Sequence, residues 1–177
     1  MRISIQEKRK ASLFDLPFLS SYLRLGPEQS DSLKDHLKHL VEVATDWGQE
    51  RLGKTFLNQK IKIVHRNNDI ILPYGPVKKE DIQSVKRKGK VLQEKIDYSV
   101  ESYKDTQKIK TPFSWKSHEI EVIYVAGYGD DAEYVPLSIR NSILRSVETL
   151  YHNGGDVKNL EKEASVLMSP YRDYFIY

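Results

Sequence analysis

Residues 118–151 read HEIEVIYVAGYGDDAEYVPLSIRNSILRSVETLY, and their reading decides the fold. The first part alternates as a strand does: Ile120, Val122 and Tyr124 point one way, Glu119, Glu121, Ile123 and Val125 the other. One face is apolar throughout, and the other starts polar and ends apolar, so the strand enters a core near Val125. Gly127 and Gly129 then accept backbone angles that other residues resist. Asp130 and Asp131 suit a turn and put negative charge ahead of a helix. Pro136 fits a first helical turn, where its missing N–H costs nothing. Ile139, Ile143, Val147, Leu150 and Tyr151 follow at helical spacing, with Leu144 widening the stripe. Asn153, Gly154 and Gly155 end the helix, because they tolerate left-handed angles. The stretch is thus a strand, a structural corner marked by Gly127, Gly129 and Pro136, and an amphipathic helix.

Upstream, residues 1–13 read as a polar arm. Asp15 caps a short helix whose apolar content is Leu16, Phe18, Leu19, Tyr22, Leu23 and Leu25, and Gly26 with Pro27 stops it. A longer helix starts at Ser30 or Asp31, either of which accepts a backbone N–H as N-cap. Leu33, Leu37, Leu40, Val41, Ala44, Trp47 and Leu52 keep one face apolar as far as Gly53. Residues 55–125 change character to short strands with polar breaks. Ile61 and Ile63 alternate with lysines, and Ile70, Ile71 and Leu72 form a buried-type run closed by Pro73. Residues 82–85, 91–92, 98–103 and Ile109 are weaker strand candidates, and Gly89 reads as a hairpin tip. Ile61, Ile63, Ile70 and Leu72 make the core side. Downstream, residues 159–168 read as a short helix with Leu160, Ala164, Leu167 and Met168 on one side.

The expected class is α+β and mainly helical: an antiparallel helix bundle with an antiparallel β region of hairpins inserted between the second and third main helices. The expected organisation is a single domain over 1–177. It divides into an arm (1–13), helices (14–53), a β insertion (55–125), further helices (136–168) and a C-terminal segment (169–177).

The length of 177 residues suits one domain with a real core, or one domain plus an arm. Apolar residues make up 39% and charged residues 30%, a polar mix that fits an elongated body or a subunit of a larger assembly. There is no cysteine, which excludes disulfides and thiolate zinc sites. MRISIQEKRK has charges with no apolar run behind them, so a signal peptide is not expected. The longest strongly apolar run is about five residues against the roughly 20 needed to span a bilayer, so a soluble protein made inside the cell is expected. Net charge is +3. Basic residues cluster at Lys8 to Lys10, at Lys78 and Lys79, and at Lys86, Arg87, Lys88 and Lys90. The last four are candidate DNA-facing or interface residues. The same lysines also suit solvated loops and edge strands that avoid mispairing.

Nothing in the chain meets the demands of catalysis. His36 and His39 lie three apart on a helix, but no nearby carboxylate completes a metal site. His65, His118 and His152 are isolated. Gly127-Tyr128-Gly129 follows a strand and precedes a helix, yet the two aspartates after it repel phosphate, and no P-loop is present. No catalytic residue, metal ligand or cofactor is assigned, and no enzyme is expected. The C-terminal segment is unusual instead. Tyr171, Arg172, Tyr174, Phe175, Ile176 and Tyr177 crowd the end of the chain, and aromatics with arginine are common interface anchors. This segment either completes its own domain or docks on a partner.

In order along the chain, several motifs resemble one family. They are Leu23-Arg24-Leu25, the helix from about Asp31 to Gly53, Leu72-Pro73 followed by Pro76-Val77, and Ala126-Gly127-Tyr128-Gly129-Asp130-Asp131 with Val135-Pro136. An apolar helix ending in Leu150-Tyr151 and then Leu167-Met168-Ser169-Pro170-Tyr171-Arg172 complete the set. The set resembles the head–tail connector, or adaptor, proteins of tailed bacteriophages. Two features depart from that pattern: Gly154 and Gly155 stand where relatives carry an arginine, and the β region is long and lysine-rich. The resemblance implies a virion protein of the phage neck, assembled in the host cytoplasm as a ring of about a dozen subunits. It implies contact with the portal of the DNA-filled head on one side and with tail-completion or stopper proteins on the other. It further implies that the C-terminal segment docks on the portal, that DNA passes through the ring with non-specific contact, and that no membrane is involved. The alternatives are another neck role, as a stopper or tail-completion protein, and a small nucleic-acid-binding module.

Overall fold

The structure is a computed structural model and describes residues 1–7, 11–115, 117–160 and 167–172. In chain order the strands and helices are β1 (Arg2–Glu7), α1 (Leu16–Tyr22), α2 (Pro27–Ser32), α3 (Lys34–Leu52), β2 (Gln59–His65), β3 (Asp69–Ile71), β4 (Ile82–Arg87), β5 (Lys90–Val91), β6 (Ser99–Tyr103), β7 (Thr106–Lys110), β8 (Ile120–Ala126) and α4 (Leu137–His152). The chain divides into two compact units. One unit combines Met1–Arg9 with Lys54–Asp130, and the other combines Lys10–Gly53 with Asp131–Tyr177. The α+β class stands, but the chain is not mainly helical: two antiparallel sheets occupy one whole unit.

The first unit is built around β8. Its alternation puts Ile120, Val122, Tyr124 and Ala126 in the core, and both its edges are paired, with β2 and with β4. The resulting sheet runs β1-β2-β8-β4-β5, and a second sheet runs β3-β7-β6. Ile61, Ile63, Ile70 and Leu72 are buried in one cluster with the β8 residues, Val77, Val85 and Ile109, as their spacing predicts. Each such side chain stabilises the fold by roughly 1.5–3 kcal/mol on leaving water. The Tyr124 hydroxyl is buried too, and it donates to the Pro73 carbonyl at 2.8 Å. Such a bond removes the cost of burying a phenol. Lys54, nearly fully buried, is paired with Asp105. The β4–β5 hairpin turns on Lys88 and Gly89, between the paired residues Arg87 and Lys90. Both turn residues have positive φ (49° and 77°), as a tight two-residue hairpin requires.

Residues 2–7 were expected as part of a polar arm, and instead form β1, paired antiparallel to β2 from Arg2–Val64 to Glu7–Lys60. The six residues of β1 are all exposed. Ile3 and Ile5 alternate with Arg2, Ser4 and Gln6 as in a strand, but both stay exposed, and the ladder to β2 holds the strand.

The second unit is helical. Asp15 caps α1 as expected, its carboxylate accepting from the Phe18 N–H at 2.8 Å. Pro27 does not merely stop α1: it opens α2, a single short helix. The chain then breaks at Leu33 (φ −101°, ψ 4°), and α3 starts at Lys34. The expected start at Ser30 or Asp31 is therefore wrong, because Pro27 has already begun a separate helix. Leu37, Leu40, Val41, Ala44 and Leu52 form the buried face of α3, and Gly53 ends it in the left-handed conformation. Along α4, Ile139, Ile143, Val147 and Leu150 are fully buried and Leu144 nearly so. Pro136 precedes the helix as its cap. Gly155 N–H donates to Leu150 O at 2.8 Å, closing the last turn through two glycines of positive φ. Helix α3 packs on α4, and α1 on α3. Past α4, Leu160 and Met168 are buried. Most of the helix expected over 159–168 lies outside the described residues.

Candidate functional site

Three surfaces answer to the residues singled out in the sequence. The first is the corner after β8. Gly127 has φ 142°, and its N–H donates to Pro76 O at 3.0 Å. Tyr128 N–H donates to Phe56 O at 3.0 Å, and Gly129 O accepts from Asn58 N–H at 2.8 Å. The Asn58 side-chain amide donates to Asp130 Oδ1 at 3.1 Å. These backbone groups are engaged within the unit, so the glycines hold two chain segments together and leave no cradle of free N–H groups for a phosphate. Pro136 lies in the other unit, at the start of α4.

The second surface holds the basic residues. Lys88 and Lys90 flank the exposed hairpin tip. Arg87 sits apart from them: its guanidinium lies 4.1 Å from the centre of the Trp115 ring, with Nη2 3.4 Å from His118 Nε2. Lys86 is on the opposite sheet face, 4.0 Å from Glu121. Pairing adds cations that the sequence reading missed. Arg2 and Arg66 both bind Glu119 at 2.9 Å, and Lys62 binds Glu121 at 2.6 Å. Hydrogen bonding from Arg66, with Arg2 beside it, holds the Glu119 carboxyl below its ordinary value. An open groove of about 580 Å³ runs over this face, lined by Arg2, Lys62, Lys86, Lys88, Glu119 and Glu121 among others. On the other face, burial pushes the His65 imidazole below 6.5, and the N-terminal ammonium pushes it further. Only the strand register brings Arg2, Lys62 and Arg66 to Lys86; lysines alternating with Ile61 and Ile63 were the one signal available.

The third surface is the C-terminal segment. Tyr171 is half-buried, and its hydroxyl accepts from Ser138 Oγ at 3.0 Å, near the start of α4. Arg172 is exposed. Tyr174, Phe175, Ile176 and Tyr177 lie outside the described residues, as do Lys8, Arg9 and Lys10.

The helical unit also carries exposed apolar side chains, on α1 and around the start of α4. Phe14, Phe18 and Tyr22 stack in a ladder with centroid spacings of 5.8 and 6.4 Å. Phe18 is 47% exposed although it was read as part of the apolar content of α1. Tyr134, in the turn before α4, and Leu137, its first residue, are more than 60% exposed and were not singled out in the sequence. Exposed aromatics of this size suit contact with another chain.

Among the described residues, no group of three or more His, Asp or Glu side chains is placed to hold a metal ion. His36 and His39 are both exposed on α3. No helix among them is long and apolar enough to cross a membrane.

No protein-family profile and no curated protein matches this chain. Solved structures do match it, over 100% of this chain and 98% of the matched chain in each case. A chain in the neck of an empty gene transfer agent (GTA) particle, computed with C6 symmetry, superposes with a TM-score of 0.78 at 12% identity. A chain in the virion of the native gene transfer agent particle gives 0.72 at 12%. A chain in the neck of the native GTA particle, computed with C12 symmetry, gives 0.71 at 14%. At such identities the likeness is one of fold, and it accords with the head–tail connector resemblance read from the motifs: from end to end, this chain has the fold of a protein found in gene transfer agent necks.

Proposed function

We propose that this chain is a structural subunit of the neck of a phage-like virion. It forms a homo-oligomeric ring that joins the portal of the DNA-filled head to the tail or to tail-completion proteins, and it acts by assembly and not by catalysis. One observation carries the reading: a full-length likeness, at TM-scores of 0.78 and 0.71, to chains in particle necks. The C12 symmetry of one of those necks supports a ring of about twelve. In this reading the two units together make one adaptor domain. The exposed aromatics of α1 and the start of α4 supply contacts between chains, and the residues after Tyr171 dock on the portal. The Tyr171–Ser138 hydrogen bond supports that role by giving the docking segment a fixed root.

Light scattering on the eluted protein, with negative-stain electron microscopy, tests the proposal. Rings are expected, alone or on addition of the portal from the same particle. A monomer that leaves portal unbound at high concentration would end this reading.

A further inference from the structure

The register of the five-stranded sheet brings one row of residues together on its outer face. Arg2 pairs with Val64, Val64 with Glu121, and Glu121 with Lys86. Around this row stand Lys62 and Arg66 from β2 and the residue after it, and Lys88 from the hairpin turn. The set holds five cations, Arg2, Lys62, Arg66, Lys86 and Lys88, against two carboxylates, Glu119 and Glu121. That excess of three equals the formal net charge of the whole 177-residue chain. This end of one sheet therefore carries a local positive excess that the mild overall charge does not reveal.

We infer that this end of the sheet is a contact surface for the phosphodiester backbone of nucleic acid, recognising charge and not base sequence. Four features of the cluster favour that ligand. First, each carboxylate is shared by two cations: Glu119 by Arg2 and Arg66, Glu121 by Lys62 at 2.6 Å and Lys86 at 4.0 Å. A shared carboxylate orients both partners while cancelling only one of the two charges. Second, a guanidinium has five N–H donors, and Arg2 and Arg66 spend only part of theirs on Glu119. The rest suit phosphate oxygens. Third, the cations are spread laterally. Arg2 and Lys86 are three strand spacings apart, about 14 Å, which covers about four base-pair steps along a duplex.

Fourth, Ile3 and Val64 are the only large aliphatic residues lining the groove, and no Phe, Tyr or Trp is among its lining residues. A protein partner needs a desolvated aromatic or aliphatic anchor at its centre. Backbone phosphates need only positive charge and release of counterions. The surface also differs from the cluster apparent in the sequence. Arg87 is not part of it, because it faces the other side of the sheet and stacks on Trp115. Arg2, Lys62 and Arg66 replace it.

Fluorescence anisotropy with a labelled duplex of about 30 base pairs, read between about 50 and 200 mM salt, tests the inference. The native chain is expected to bind with affinity falling steeply as salt rises. The variant Arg66→Gln/Lys86→Gln/Lys88→Gln is expected to melt as the native protein does and to lose about 2.7 from the log–log salt slope, about 0.9 for each phosphate contact removed. Lys88→Gln alone, at an exposed turn position, is expected to give about one third of that change. The control Lys34→Gln/Lys38→Gln/Lys104→Gln removes the same charge from exposed positions elsewhere and is expected to leave the slope near native. Absence of binding at low salt overturns the inference. So does an equal loss in the control, which would mean bulk charge and no site. Tighter binding of poly-glutamate than of the duplex at matched charge and salt would assign the surface to an acidic protein instead.

Discussion

Gly127 stands against the backbone of Asn58, so close that a Cβ built on the glycine would lie 2.6 Å from the Asn58 nitrogen. No relaxation of a side chain relieves such a contact, since the atoms met are main chain. The φ of 142° adds strain for any other residue. Gly127→Ala should destabilise the β unit by more than about 2 kcal/mol, measured as the shift of the urea unfolding midpoint. Gly89→Ala is the contrasting case. Gly89 also has positive φ, but nothing lies within 4 Å of its missing Cβ, so a loss of about 1 kcal/mol is expected there.

Tyr124→Phe should cost about 1–2 kcal/mol of stability without changing the fold. The ring keeps its place in the core, while the Pro73 carbonyl loses the buried hydroxyl that donates to it. Chemical denaturation checks the magnitude. A neutral result would mean that water replaces the hydroxyl at no cost.

Stability should fall when the solution is acidified from about pH 7.5 to about pH 5.5. The His65 imidazole is held below 6.5 by burial and then by the N-terminal ammonium, so the folded protein resists protonation that the unfolded chain accepts. A depressed value of this kind gives stability that is complete above 6.5 and is lost as pH falls through the folded value. His65→Gln should flatten the dependence in this window. Glu119, also depressed, acts in a separate window that opens only as pH drops below 4.5.

If the C-terminal segment docks on portal as proposed, removing residues 173–177 should leave the melting temperature unchanged and abolish portal binding. If that segment completes its own core, the deletion should instead lower stability by about 2–4 kcal/mol, as lost aromatic packing does. Calorimetry and a portal pull-down, run on the same truncated protein, separate the two.

The parts of the fold legible in the sequence are those whose burial is periodic. Ile120, Val122 and Tyr124 announce β8, and Ile139, Ile143, Val147 and Leu150 announce α4, because a buried face needs an apolar residue at each repeat. Gly53 and Gly89 are legible for a different reason, since a positive φ at a helix end or hairpin tip favours glycine. Strand β1 was only partly legible: Ile3 and Ile5 alternate with polar residues, but the run is short and its partner lies more than fifty positions later. The start of α3 was misplaced because Pro27 and Leu33, each unremarkable alone, together cut one apparent helix into two. The cationic face was only partly legible. Lys86 and Lys88 are neighbours in the chain, but Arg2, Lys62 and Arg66 join them through the sheet register.

The placement of β8 between β2 and β4 sets the order in which a growing chain can become stable. Strands β1, β2, β4 and β5 are all synthesised before it, yet the sheet has no continuous ladder until β8 is inserted. Until residue 126 has emerged, β2 and β4 present open edges that the finished protein pairs. Sheets assembled from such distant pairings close slowly, and their edges are exposed to association with other chains meanwhile. The chain therefore passes through its most adhesive state before β8 is paired, and the rate at which β8 locks in governs how much of it is lost to aggregation.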